Sequence, residues 1–290
     1  MPLTLIRGKY SILKAAPDGD SIRFVPDNPA LWKTLENRVR PNKSGGAQLR
    51  LDAIDALETH YRARVGSLGT QHQPLRLAHK AADRLLDILG FDSKTVDRGK
   101  EEIITAANPA TAPGYILTRF ADVHGRAVAF VFAGIPKQAD GSDVFADAAL
   151  IRQSANYQLL AEGLAYPTFY SKLFVDLRNE LTQAVKNARS VKDDIWAKDQ
   201  TNQGFELESL DTITDDIPIL PKLFRRLIGY LAINQGSVEL DGFAKYLEAL
   251  DDRLVVLSTG QITGFDNLIE VKGQHLRLLE PPENLVFLEE

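Results

Sequence analysis

The sequence predicts a small β-barrel with helices packed against it, followed by a C-terminal α+β appendage. Three observations lead there. Short stretches alternate apolar and polar residues, the period of a half-buried strand. Leu75, Leu77, Ala78, Ala81, Ala82, Leu85, Leu86 and Leu89 recur at helical spacing between those stretches. The regular strand–helix alternation of a parallel α/β protein is absent.

The elements follow in order. Residues 9–16 read as a strand, and Pro17-Asp18-Gly19-Asp20 as a tight turn. Ser21-Ile22-Arg23-Phe24-Val25 alternates again, so the pair reads as a hairpin with Asp20 opening its second strand. Residues 26–47 form a polar connection with a short helix around Ala30–Arg38. There, Trp32 with Lys33, Arg38, Arg40 and Lys43 reads either as a nucleic-acid contact or as an exposed basic loop. Leu49–Ile54 is the next strand. A second loop, 59–73, precedes the 75–89 helix, which Gly90 stops. Glu101–Ala106 and Tyr115–Phe120 read as strands. Asp122-Val123-His124-Gly125 is a turn, and Arg126 opens the apolar strand Ala127–Phe132. A polar loop over 134–146, a helix over Ala148–Gly163 and a longer one over Leu173–Trp196 complete the first part. A five-stranded barrel of the OB type fits this set.

Composition excludes several classes of chemistry. The chain has no cysteine, so disulfides, zinc–thiolate sites and thiol catalysis are out. His60, His72, His79, His124 and His275 show no zinc-ligand spacing. No apolar run approaches the roughly 20 residues of a membrane span. The first residues lack the apolar core of a signal peptide, so a cytoplasmic location is expected. Net charge is −5 but unevenly spread. Residues 201–290 hold 7 Lys and Arg against 16 Asp and Glu, a balance of −9. The totals of 34 and 39 leave 27 against 23 for residues 1–200, a balance of +4. A mildly basic body with an acidic tail hints at nucleic-acid contact or charge-based regulation.

The chemistry concentrates in residues 49–58, Leu49-Arg50-Leu51-Asp52-Ala53-Ile54-Asp55-Ala56-Leu57-Glu58. Asp55 and Glu58 project from a strand end, where backbone carbonyls are also free. Carboxylates and carbonyls suit calcium, which takes six to eight oxygens. An arginine beside such a cation suits phosphate. The same acids also suit an ordinary turn, with Arg50 as a surface charge.

Five motifs in order resemble the staphylococcal nuclease (thermonuclease) family. Asp18-Gly19-Asp20-Ser21-Ile22-Arg23 is similar to its DGDT hairpin. Leu49-Arg50-Leu51 running to Ile54-Asp55-Ala56-Leu57-Glu58 is similar to its RL-x-x-[IV]-D-x-PE segment, at the same spacing. Gly125-Arg126 opens a strand like its YGR strand. Glu162-Gly163-Leu164-Ala165 follows a helix, as QGLA does there, and Asp194-Ile195-Trp196 closes the last helix. The resemblance covers roughly residues 5–200 and implies an OB-type barrel.

It also implies roles. Asp20 and Asp55 would be carboxylate ligands of calcium, with the backbone carbonyl of Ala56 as a third. Glu58 would take the proton of, or orient, the attacking water. Arg50 and Arg126 would grip the phosphate. The implied activity is calcium-dependent hydrolysis of DNA and RNA, single strands preferred, leaving 3′-phosphate ends. The sequence departs from the family at Leu57, where the family has proline, and at Val123-His124, which removes a phosphate-binding lysine. Two family tyrosines align with Phe169 and Ser171, which removes hydroxyl contacts. His124 and Phe169 therefore stand at the substrate-contact positions.

No family resemblance extends into residues 201–290. Residues 201–216 read as a linker, Pro218–Ala232 and Leu240–Leu250 as helices, and Leu254–Leu257, Leu268–Val271 and Leu276–Leu279 as strands. This part is either a packing, partner-binding or self-association module, or an acidic piece that competes with nucleic acid for the basic body. The alternative to an enzyme is a nucleic-acid-binding module of the same fold with little or no activity.

Overall fold

The computed structural model describes residues 2–191 and 193–288. Five strands close into a barrel: β1 (Leu3–Ser11), β2 (Ser21–Pro26), β3 (Ala47–Leu51), β4 (Thr111–Ala121) and β5 (Ala127–Ala133). Their order is β1-β2-β3-β5-β4, and β4 returns to pair with β1. β3 and β5 run parallel, and every other barrel pair is antiparallel. The alternation expected of β3 holds, with Leu49 and Leu51 fully buried and Arg50 between them on the other face. Helix α1 (Leu75–Ile88) buries Leu77, Ala78, Ala81, Ala82, Leu85 and Leu86. It stops where Gly90 adopts φ +91°, a conformation glycine enters without strain.

Several expected elements shift. β1 starts at Leu3 and ends at Ser11 rather than spanning 9–16, because β4 holds it along nearly its whole length, from Thr4 opposite Thr118 to Ser11 opposite Thr111. That leaves residues 12–20 as a longer connection to β2 than a tight turn. Of Glu101–Ala106 only Ile104–Ala106 is extended, since Glu101 takes a left-handed φ of +54°. The helix expected over 148–163 divides into a turn at Ala148–Ile151 and α2 (Ala155–Ala161). Ser154 divides them by accepting a hydrogen bond from the Tyr157 N–H, a helix N-cap. The long helix is α3 (Val175–Val191), followed by a separate turn at Asp194–Ala197.

The C-terminal part holds α4 (Pro221–Ile233), α5 (Phe243–Leu250), and strands β6 (Arg253–Val256), β7 (Gln261–Gly264), β8 (Ile269–Lys272), β9 (His275–Leu278) and β10 (Leu285–Phe287). It is not a free appendage. β10 pairs in parallel with Phe169–Tyr170, Arg189 donates to Glu283 at 2.8 Å, and one hydrophobic core runs through both parts. On α4 alone, Leu223, Phe224, Leu227, Ile228 and Leu231 are buried. At roughly 2 kcal/mol for each such side chain, burial of these five contributes about 10 kcal/mol to holding the helix in place. α4 is therefore a fixture rather than a flap. Among the described residues no helix is long and apolar enough to cross a membrane.

One buried side chain ties the barrel at the turn after β3. Asn156 is fully buried on α2. Its amide donates to the carbonyls of Asp52 (2.9 Å) and Ala129 (3.0 Å), and its oxygen accepts from the Val131 N–H (3.0 Å). The parallel pair β3–β5 has no hairpin to hold its register, and this amide bridges it. Asn156→Ala leaves two buried carbonyls and one buried N–H without that partner. A loss of about 2–4 kcal/mol is expected, read as a lower urea midpoint with unchanged m-value.

Candidate active site

Asp20 and three residues of the 50–58 stretch, Arg50, Asp55 and Glu58, meet at one end of the barrel. Gly19 brings the chain into β2 against α1. A Cβ there would lie 2.6 Å from the Ala56 Cβ and 2.8 Å from the Ala81 Cβ, so glycine permits the close approach that delivers Asp20. The Leu51 N–H donates to the Asp20 carbonyl at 2.8 Å, and the Ala56 N–H to Asp20 Oδ2 at 3.3 Å. After β3 the chain turns through Ala53, at φ +68°, and Ile54-Asp55 pairs with Tyr166-Pro167. That pairing buries Asp55 to 1% exposure. Arg50 lies between Ser21 of β2 and Val128 of β5.

Glu58 is placed by a residue with no motif of its own. The buried Gln73 donates its N–H to the Glu58 carbonyl (2.8 Å) and accepts from the Glu58 N–H (3.3 Å). Its side-chain amide donates to the Ile219 carbonyl (2.8 Å), just before α4. The loop over 59–73 packs on the same helix, with the Tyr61 and Phe224 rings edge to face at 6.3 Å.

The site contains a cation that the motifs do not reveal. Arg225 projects from α4 onto the carboxylates. Its Nη1 donates to Asp55 Oδ1 (2.9 Å) and Glu58 Oε1 (2.6 Å), and its Nη2 donates to Asp55 Oδ2 (2.7 Å). Lys222, Arg225 and Arg226 stand at i, i+3 and i+4 on one face of the helix. Asp252 holds the other two, accepting from Arg226 Nε at 2.6 Å and from Lys222 Nζ at 3.0 Å. The acidic tail thus meets the site through its cations, the opposite sign to the competition expected from its net charge.

The remaining expected residues are placed differently. Phe169 is fully buried in the core and carries no substrate surface, which corrects that expectation. The pairing with β10 sets the strand so that the next residue, Tyr170, faces the site. Its hydroxyl accepts from Arg50 Nη2 at 3.3 Å, and the Arg50 guanidinium lies 4.9 Å from its ring centre. A hydroxyl is therefore present, one position from where the resemblance places one. Arg126 turns away to Asp122, with Nε to Oδ2 at 2.7 Å. The second guanidinium on the carboxylates is Arg225 instead. His124 is exposed in its turn, with Nε2 3.1 Å from Arg64 Nη2.

The electrostatics follow from burial and crowding. Burial raises the Asp20 carboxyl well above the usual range, helped by Asp18, Asp55 and Glu58 and opposed by Arg50. Burial also pushes Asp55 upward. The Arg225 charge and hydrogen bonds, with Arg50 and a hydrogen bond from Asp20, outweigh it and hold Asp55 below its ordinary value. Glu58 is raised to about 7 by burial, with Arg225 opposing and Asp18 and Asp55 assisting. On Tyr170, burial acts upward, but the charges of Arg50 and Lys222 bring the hydroxyl below its ordinary value. Within one cluster Asp20 and Glu58 are therefore shifted upward while Asp55, the partner of the Arg225 fork, is shifted downward.

Calcium does not fit this arrangement. Both Asp55 oxygens are committed to Arg225, and on Asp20, the other implied ligand, Oδ2 accepts from the Ala56 N–H. Among the described residues no group of three acidic or histidine side chains is arranged to hold a metal ion. A dication about 4 Å from the Arg225 charge would meet repulsion of about 8 kcal/mol at an effective dielectric constant near 20. As arranged, the site leaves calcium only the Ala56 carbonyl and partial carboxylate access.

No protein-family model matches the chain, and no curated protein matches it.

Proposed function

We propose that this chain is a phosphodiesterase acting on DNA or RNA, with its active site at the barrel end where Asp20, Arg50, Asp55 and Glu58 meet. The observation that carries the reading is that convergence. Asp20 and the 50–58 stretch come together with Arg225 from a third segment, so that the acids and Arg50 named by the resemblance stand beside a second guanidinium. In this reading Arg50 and Arg225 face the non-bridging phosphate oxygens, where negative charge grows as water attacks. Donors fixed in a part-buried site act there without reorganisation, usually the largest catalytic contribution. Glu58 Oε1 accepts from Arg225, which leaves Oε2 for the attacking water. Glu58 takes that water's proton as the phosphorus–oxygen bond to the 5′ oxygen breaks. The leaving oxygen takes a proton from solvent, and a 3′-phosphate remains. Tyr170 beside Arg50 orients the guanidinium. Single strands are the preferred substrate, because phosphate contacts and stacking suffice in a barrel groove.

The commitment of Asp55 and Glu58 to Arg225 favours a second reading, a binding module of this fold without turnover. Labelled single-stranded DNA incubated with wild type and with Glu58→Gln separates the two. Cleavage to 3′-phosphate products by wild type and its loss in the variant supports the enzyme. Retention of labelled strand without cleavage by either supports the module.

A further inference from the structure

We propose that Arg225 is the resident cation of this site, standing on Asp55 and Glu58 in place of a divalent metal ion. What that cation does to a substrate rests on the phosphodiesterase reading; its occupancy of the carboxylates does not.

The geometry carries the proposal. Asp55 is almost fully buried, and both its oxygens accept from the Arg225 fork, at 2.9 and 2.7 Å. The same guanidinium reaches Glu58 at 2.6 Å. A planar fork matched to a carboxylate in this way is the strongest form of charge-assisted hydrogen bond. Arg225 is also difficult to withdraw. Its helix buries five large apolar side chains, Gln73 links the segment before the helix to Glu58, and Asp252 anchors the two neighbouring cations. A metal ion would need the same oxygens at the same place. The arginine supplies one positive charge and spare N–H donors, so it offers the site both charge neutralisation and phosphate contacts. Arg50 completes the pair from the barrel side, braced by Tyr170. Removing the Arg225 charge would leave Asp55 and Glu58 without the cation that now pairs them.

The test is metal binding, which reads independently of cleavage. Calcium is titrated into the full chain by calorimetry, and terbium by luminescence, for wild type, Arg225→Gln and Asp55→Asn. Wild type is expected to show no saturable binding up to millimolar calcium. R225Q, with folding checked by circular dichroism, is expected to bind at least about 100-fold more tightly. Saturable calcium binding by wild type that Asp55→Asn abolishes overturns the proposal. So does a folded R225Q that binds no metal, because the carboxylates then form no latent cation site. If R225Q fails to fold, Arg225→Lys decides. Lysine keeps a positive charge beside the carboxylates, so R225K is expected to bind no calcium, as wild type does, and saturable binding by a folded R225K overturns the proposal. If wild type cleaves no nucleic acid, the phosphodiesterase reading fails while these titrations still decide who holds the carboxylates.

Discussion

Replacing Glu58 by glutamine is expected to lower kcat for nucleic-acid cleavage by about 10²–10⁴-fold, with little change in KM. Glutamine keeps the size of the side chain and an oxygen that accepts from Arg225, so the ion-pair geometry changes little. What it loses is the capacity to take a proton. The wild-type profile of kcat/KM against pH should then rise through an acidic limb near pH 7, the value to which burial raises this carboxyl. The limb belongs to the base form, so activity increases as pH rises and levels above it. Stability should run the other way. Between about 4.5 and 7 the folded chain holds a proton on Glu58 that the unfolded chain has released. The contribution of this group is full below the lower value. It falls by about 3 kcal/mol as pH rises through the upper one. Chemical denaturation of wild type and E58Q across pH 4–8 should show a steeper fall in the first than in the second, which keeps only the contribution of the raised Asp20. A wild-type rate that is flat from pH 5 to 8, or an E58Q variant as fast as wild type, would remove Glu58 from the role of base.

The largest effect on stability is expected from Asp55→Asn. Asp55 is the ionised partner of Arg225, and it also lowers the cost of keeping Arg50 charged. An amide in its place accepts at one oxygen only and turns donors toward two guanidiniums. Breaking a buried pair by removing one partner typically costs about 3–5 kcal/mol, because the other charge stays buried without compensation. Removing both partners leaves no such orphan. The double variant Asp55→Leu with Arg225→Met should therefore recover much of the loss. The measurement is a double-mutant cycle by urea denaturation, with a coupling energy well above the additivity limit expected. Additive single losses would show that Arg225 and Asp55 do not depend on each other.

The barrel was readable because its information is local. Alternation over 21–25 and 49–54 identifies faces, the apolar run over 127–132 marks a buried strand, and turn residues at 18–20 and 122–125 separate strands. Asp20, Arg50, Asp55 and Glu58 were legible for the same reason, being carried on strand ends at recognisable spacing. β1 was misplaced by several residues because its extent is defined by pairing with β4, over a hundred residues later. The resemblance puts Phe169 at a substrate-contact position, because a family tyrosine aligns with it. Parallel pairing with β10 decides instead that Phe169 points inward and Tyr170 toward Arg50, since adjacent strand residues face opposite ways.

The sequence by itself determined that this chain builds a barrel and brings acids and an arginine to one end of it. It could not show that an arginine from α4 would close on those acids. On an amphipathic helix an arginine reads as a solvent-facing charge, and the acidic balance of residues 201–290 pointed to the opposite interaction. Only the tertiary placement of α4, with Leu223, Phe224, Leu227, Ile228 and Leu231 buried and Phe224 against Tyr61, carries Arg225 to Asp55, 170 residues away. Burial then makes the pairing matter. The same guanidinium in water would be screened and nearly worthless, whereas at a carboxylate with 1% exposure it decides the charge state of the site.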